Sequence, residues 1–268
     1  MKVPRLSPVV HRLIIIVLLA VGIGCGVYLV HYYADAQYSL EKMRQMESSL
    51  SRPQSAVQSA LSSAEEAASS SSAVPNILPQ LQTLYSKNHD LIGWLSIDGT
   101  NIKYPVMFTP NSAEYYLHRN FEKRDEARGL PFLDAGTDLN HSSNYLIYGH
   151  NMKDGTEFAD LVKYRSKSYW QKHPTIRFDT LYEADTYQVM AAFNSKVYLK
   201  SDNVFKYYQF NYPATAEQFS DYVSNVKKLS VYDTGVNAQS GDRLLTLSTC
   251  SSYTEDGRFA VVAKKIGK

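Results

Sequence analysis

No stretch of this chain limits its possible folds as strongly as Leu13–Val30, LIIIVLLAVGIGCGVYLV, an apolar run of 18 residues without a charge. At about 1.5 Å of rise per residue, such a helix just crosses a hydrocarbon core of roughly 30 Å. Lys2, Arg5 and Arg12 precede the run, and Asp35 and Glu41 follow it. An excess of basic residues marks the cytoplasmic side. Residues 1–12 are therefore expected in the cytoplasm, 13–30 in the membrane and everything beyond outside. The alternative is a cleaved secretory signal, and Ala34-Asp35-Ala36 offers a small-residue cleavage site. The run is longer than the usual signal core of about 7–15 residues, which favours an uncleaved anchor. On either reading the rest of the chain is exported.

Export gives the cysteines their meaning. Of the 2 in the chain, Cys25 lies inside the apolar run and reads as a small apolar residue packed in lipid. Cys250 then has no partner for a disulfide in the exported part. An exported protein that keeps a lone, oxidisable thiol usually has a use for it. The net charge of +2, with basic residues scattered rather than striped, is too small to suggest a nucleic-acid binder. Twenty-one tyrosines (21) suit a β-rich domain with an amphipathic groove.

Beyond the anchor, Tyr38 to Leu50 reads as a short polar helix. Residues 51–74 are rich in Ser and Ala, with too little apolar surface to fold, so 31–75 is expected to be a stalk and flexible linker ending at Pro75. From Asn76 to the C-terminus the composition is that of one globular domain. Ile77 to Asn88 has helical spacing (Ile77, Leu81, Leu84), and Asp98-Gly99 is a turn between two strands, Ile92–Ile97 and Ile102–Phe108. Further strands are expected at Asn144–Tyr148, Thr186–Phe193, Arg243–Thr249 and Phe259–Lys264. Helices are expected at Glu157–Gln171 and at Thr215–Leu229. Short strands with few helices point to a mainly β fold, a barrel or sandwich with helical insertions.

Three residues carry candidate chemistry. Leu244–Leu247 is a buried-strand pattern, and Cys250 follows where that strand ends. Ser251 to Gly257 is a polar loop, and Arg258 opens the next apolar strand. Antiparallel pairing would put Cys250 and Arg258 at adjacent strand ends, where a guanidinium can activate a thiol or hold a forming oxyanion. In NYLIYGHNM (Asn144–Met152), His150 emerges past a strand and a glycine, well placed to face a cleft. Taken singly, Arg258 reads as a strand-edge arginine and His150 as a surface or core histidine. His118, in YYLHRNF, competes with His150. No histidine pair has metal-ligand spacing with a cysteine or carboxylate motif, which argues against a zinc site.

Taken together, TLSTC (Thr246–Cys250), RFAVVAKK (Arg258–Lys265) and YGHNM (Tyr148–Met152) resemble the class B sortases. So do DLIGWLSIDGTNIKYPVMFT (Asp90–Thr109), YYLHRNF (Tyr115–Phe121) and GLPFLD (Gly129–Asp134), and the likeness runs from about Leu78 to the C-terminus. The resemblance implies a closed eight-stranded sortase β-barrel over 76–268 and a membrane-anchored cysteine transpeptidase without a cofactor. It implies Cys250 as nucleophile, His150 as general acid and base, and Arg258 as stabiliser of substrate and oxyanion; His118 matches a family position that is not catalytic. Its partners would be exported proteins bearing a C-terminal sorting signal, cut after threonine through a thioacyl-enzyme. The acceptor would be an amine of a cell-wall precursor or a pilin lysine. Two other readings stand beside this one. A different cell-wall cysteine peptidase is disfavoured by residue order, because papain-like enzymes place cysteine before histidine, and L,D-transpeptidases have a Ser-x-Gly-Cys context. A non-catalytic surface or assembly module is disfavoured by the presence of all three residues.

Overall fold

The computed structural model describes residues 7–50, 76–212 and 214–267. These fall into two compact units, 1–49 and 50–268. In the first, a single helix α1 (Pro8–Leu50, 43 residues) joins the apolar run to the polar segment expected at Tyr38–Leu50. Its most apolar window has a mean hydropathy of 2.9, enough by length and composition to cross a membrane. The Ser/Ala-rich linker at 51–74 lies outside the described residues.

The second unit is a closed barrel of eight strands. The strands are β1 (Leu91–Ser96), β2 (Lys103–Met107), β3 (Phe132–Leu133), β4 (Asn144–Gly149), β5 (Thr175–Thr180), β6 (Ala184–Lys196), β7 (Leu244–Cys250) and β8 (Gly257–Ile266). Around the barrel they run β1-β2-β3-β4-β7-β8-β6-β5. Closure leaves no sheet edge unpaired, which removes the aggregation hazard of an open edge. Most neighbours are antiparallel, but β2/β3 and β4/β7 are parallel. The parallel β4/β7 pair joins strands about a hundred residues apart in sequence, and it decides where the candidate residues meet.

Helix α2 (Pro79–Lys87) begins with proline in its first turn and buries Leu81 and Leu84, as the spacing of that segment predicts. The expected helix at Glu157–Gln171 is instead a 3-10 helix, Phe158–Arg165, followed by a short α3 (Lys167–Lys172). The reason is in the sequence: the buried Phe158, Leu161 and Tyr164 recur every three residues, the period of a 3-10 turn rather than an α-helix. Ser166, in an extended conformation, then separates the two pieces. Strands β3 and β5 were not anticipated.

Helix α4 (Ala216–Leu229) starts with a capping box: the Thr215 hydroxyl accepts from the Gln218 N–H, and the Gln218 side chain accepts from the Thr215 N–H. One face carries Phe219, Tyr222, Val223 and Val226 into a cluster with Leu146 of β4, Phe193 of β6, Leu244 of β7 and Val262 of β8. The ring of Tyr222 stacks on Phe210 at 4.1 Å. This apolar contact outweighs the cap. Phe219→Ala is expected to cost about 3–5 kcal/mol, against about 1 kcal/mol for Thr215→Ala. Urea midpoints should show that ranking, and equal losses would mean that α4 is not seated on the sheet.

Candidate active site

Strand β4 pairs with β7 in a constant register, Asn144 opposite Leu244 through Gly149 opposite Thr249. One residue further along each strand stand His150 and Cys250. Strand β7 pairs with β8 in the other direction, and there Cys250 is opposite Arg258. Three neighbouring strands therefore deliver the three sequence candidates to one end of the barrel. All three line a groove of about 450 Å³ together with Leu117, Asp134, Tyr148, Tyr207, Ser248 and Thr249. The Cys250 thiol is exposed, while His150 and Arg258 are half-buried.

The register is held by side chains as well as by the backbone ladder. In the buried centre of the pair, Thr246 Oγ1 donates to Asn144 Oδ1 at 2.9 Å, and Asn144 Nδ2 donates to the Phe210 carbonyl at 2.7 Å. At the groove end, Thr249 Oγ1 donates to the Gly149 carbonyl at 2.7 Å, and Asn151 Nδ2 donates to the Cys250 carbonyl at 3.0 Å. Gly149 is required by close approach: a Cβ there would meet the Phe158 ring at 2.7 Å.

His150 has a partner that no sequence motif reveals. Its Nε2 lies 2.8 Å from the Leu117 carbonyl oxygen. A carbonyl can only accept, so Nε2 carries the proton. Nδ1 has no hydrogen-bond partner among the described residues. The Leu117 carbonyl comes from the 3-10 turn Tyr115–His118. It is held close by Gly129 (φ +59), where any side chain would strike the carbonyl oxygens of Tyr116 and Leu117. His118, the competing candidate, stacks on His150 with centroids 5.5 Å apart.

Arg258 keeps part of its fork for a ligand. Nη1 donates to the Gly257 carbonyl at 3.0 Å and to the Asp256 carbonyl at 3.4 Å. Among the described residues no ion pair engages it. Across the groove, burial pushes the Tyr207 hydroxyl up to about 12, and its hydrogen bond to Ser248 (2.6 Å) and the charge of Arg258 only partly oppose this. Tyr148 is raised further by burial and by Asp134, to which its hydroxyl donates at 3.1 Å. Both tyrosines thus stay neutral hydroxyls on the groove wall.

The loop that carries His150 and Asn151 returns through a charged anchor. Arg128 bonds to the Asp154 carboxylate and, at 2.9 Å, to Thr156 Oγ1. Burial raises the Asp154 carboxyl, but its bonds to Thr156 and Arg128 outweigh that and hold it below the usual range. Glu157 is buried with a positive φ (+53), and Oε2 finds no hydrogen-bond partner among the described residues. Burial, reinforced by the charge of Glu126, pushes its carboxyl well up, against the pull of Arg128.

The two carboxyls therefore act on stability in opposite senses. The contribution of Asp154 is present above the unfolded carboxyl value and disappears as pH falls through its lower folded value. That of Glu157 is present below the unfolded value and is lost as pH rises through its higher folded value. Asp154→Asn should cost roughly 1–3 kcal/mol at neutral pH, with the difference closing on acidification. Glu157→Gln should gain on the wild type as pH rises. Urea titrations across pH check both, and parallel trends in the two variants would contradict these assignments.

A family model described as the sortase domain matches residues 95–266. The chain is 36% identical to sortase B of Listeria monocytogenes over 195 residues, which cover 70% of this chain and 75% of that protein. It is 33% identical to sortase B of Staphylococcus aureus over 198 residues, covering 72% and 77%. Among solved structures, a Staphylococcus aureus sortase B–substrate complex superposes with a TM-score of 0.69 at 28% identity, covering 87% of this chain and 98% of that one.

Proposed function

The chain belongs to the sortase family as a class B cysteine transpeptidase, and from that premise we propose that Cys250, His150 and Arg258 carry its reaction on exported proteins cut after a threonine of their C-terminal sorting signal. The observation that carries this reading is the convergence of the three residues on one groove through the β4/β7 and β7/β8 registers. The likeness to a Staphylococcus aureus sortase B–substrate complex supports reading this chain as an enzyme that takes a substrate of the same class.

In the first half-reaction His150 takes the thiol proton as the Cys250 sulfur attacks the threonine carbonyl, and the oxyanion takes hydrogen bonds from the free part of the Arg258 fork. The C–N bond breaks as His150 gives a proton to the departing amine, leaving a thioacyl-enzyme. In the second half, His150 takes a proton from an incoming amine. The new amide forms as the C–S bond breaks, and His150 passes that proton to the departing Cys250 sulfur. Because Nε2 is tied to Leu117, Nδ1 is the nitrogen that exchanges the proton. The acceptor is an amine of a cell-wall precursor or a pilin lysine. It outcompetes water when its own binding holds it against the thioester.

The apolar part of α1 fits a single-pass anchor with residues 1–12 in the cytoplasm and 76–268 outside. Protease added to protoplasts should then remove the barrel and leave the N-terminal tail protected. A protected barrel would reverse this topology.

The test of the chemistry is intact-mass analysis after incubation with a library of threonine-containing sorting-signal peptides. Wild type should gain the mass of a fragment ending in threonine on Cys250, and Cys250→Ala should gain none. Absence of the adduct, or a fragment ending elsewhere, contradicts the proposal. Arg258→Lys keeps the charge but loses the planar fork, and its turnover should fall by about 10²–10³-fold, roughly 3–4 kcal/mol. A lysine variant within about threefold of wild type would reduce Arg258 to a distant charge, since a lost oxyanion donor costs far more.

A further inference from the structure

We propose that Arg165, at the end of the 3-10 helix Phe158–Arg165, is a positioning residue that holds Cys250 and Arg258 in their reactive placement. This rests on the roles proposed above for those two residues. Arg165 touches neither of them. It grips the residue that follows each: Nη2 donates to Ser251 Oγ at 2.5 Å, and the guanidinium lies 5.2 Å from the ring centroid of Phe259. Its Nε and Nη2 also donate to Asn194 Oδ1, at 3.2 and 3.0 Å, and Asn194 is the partner of Phe259 in the β6/β8 ladder.

Each contact is placed where it matters for the hairpin. Ser251 is buried and closes the β7–β8 turn, with its N–H bonded to the Gly257 carbonyl at 2.9 Å and its hydroxyl accepting from the Tyr253 N–H at 3.2 Å. Phe259 is fully buried in the barrel wall. One fork thereby ties the turn beside the thiol to the buried wall of the barrel at Phe259. The fork is what the job requires, because a lysine has no rigid pair of donors to span Ser251 and Asn194. No ion pair engages Arg165 among the described residues. The guanidinium spends its hydrogen bonds on neutral oxygens of the hairpin and its neighbour instead.

The other end of the same 3-10 helix serves His150. The Phe158 N–H donates to the His150 carbonyl at 2.8 Å, and the Phe158 ring fills the space that a side chain on Gly149 would need. A single short element therefore braces the neighbours of all three residues. Phe158 opens that element and Arg165 ends it. Arg165 itself is exposed, so its loss should disturb placement far more than folding.

The experiment uses the full chain in detergent and compares Arg165→Gln, Ser251→Ala, the double variant and Arg165→Lys. Two readouts are taken beside thermal melts. One is kcat and KM for the peptide that acylates the wild type, and the other is the rate of Cys250 alkylation by iodoacetamide, which needs no substrate. Each single variant should lower kcat by about tenfold with KM within about twofold, as expected of a displaced nucleophile. Alkylation should slow by about threefold or more as the thiol moves from the Arg258 guanidinium. The double variant should be no slower than the worse single one, because both break one contact, and Arg165→Lys should recover part of the loss. Unchanged kcat and alkylation below the melting transition, or losses that add in the double variant, would overturn the proposal. The two readings fail separately. A wild type that alkylates but forms no acyl-enzyme contradicts the proposed function, whereas equal alkylation in wild type and Arg165→Gln contradicts the role of Arg165.

Discussion

The parallel pairing of β4 with β7 is the constraint on which the rest of the site depends. It is the step that brings His150 level with Cys250 across about a hundred residues of chain, and no local interaction could replace it. A slip of one residue would turn every side chain of the strand to the opposite face. That slip is opposed at two places: by the buried Thr246–Asn144 bond inside the barrel, and by the Thr249–Gly149 and Asn151–Cys250 bonds at the groove. Asn144 is fully buried, so breaking its bonds would leave polar atoms without partners, at a cost of roughly 1–3 kcal/mol each. The register is therefore a property of the core, and the geometry of the groove follows from it.

Once the strand ends are fixed, the remaining freedom lies in the loops, and each loop is tied by a different kind of interaction. The His150 loop is tied electrostatically through Arg128 and Asp154, and sterically by Phe158 under Gly149. The imidazole is oriented by a backbone carbonyl rather than a carboxylate. A neutral acceptor fixes the tautomer without adding a negative charge beside the thiol. The β7–β8 turn is tied by Ser251 and Arg165. Cys250 remains exposed at the junction of these ties, as a nucleophile that must meet a peptide has to be.

The parts of the fold that were legible in the sequence are those whose signal is local. The runs that became β1, β2, β4, β6, β7 and β8 are apolar and bounded by turn residues, and α4 shows its apolar face at 219, 222, 223 and 226. The Cys250–Arg258 pairing was legible because the two strands are joined by one short loop. The parallel β4/β7 contact was not, since nothing in either strand names its distant neighbour. The two-residue β3 is too short to carry a pattern. In contrast, β5 does alternate, with Ile176 and Phe178 inward, but the signal is brief and its helical flank obscures it. The period of three in Phe158, Leu161 and Tyr164 was present yet reads easily as a ragged α-helix. Leu117 could not have been found at all, because its contribution is a carbonyl oxygen and any residue type would supply it.

The central claim is that the fold delivers His150 to the groove as one tautomer, with Nε2 spent on Leu117 and Nδ1 facing the chemistry. Nitrogen NMR of the His150 ring, recorded in its neutral form in selectively labelled protein, tests this directly. The expected result is a protonated Nε2 protected from exchange and an Nδ1 with the shift of an unprotonated ring nitrogen. A neutral ring protonated at Nδ1, or one exchanging freely between the two forms, would contradict it.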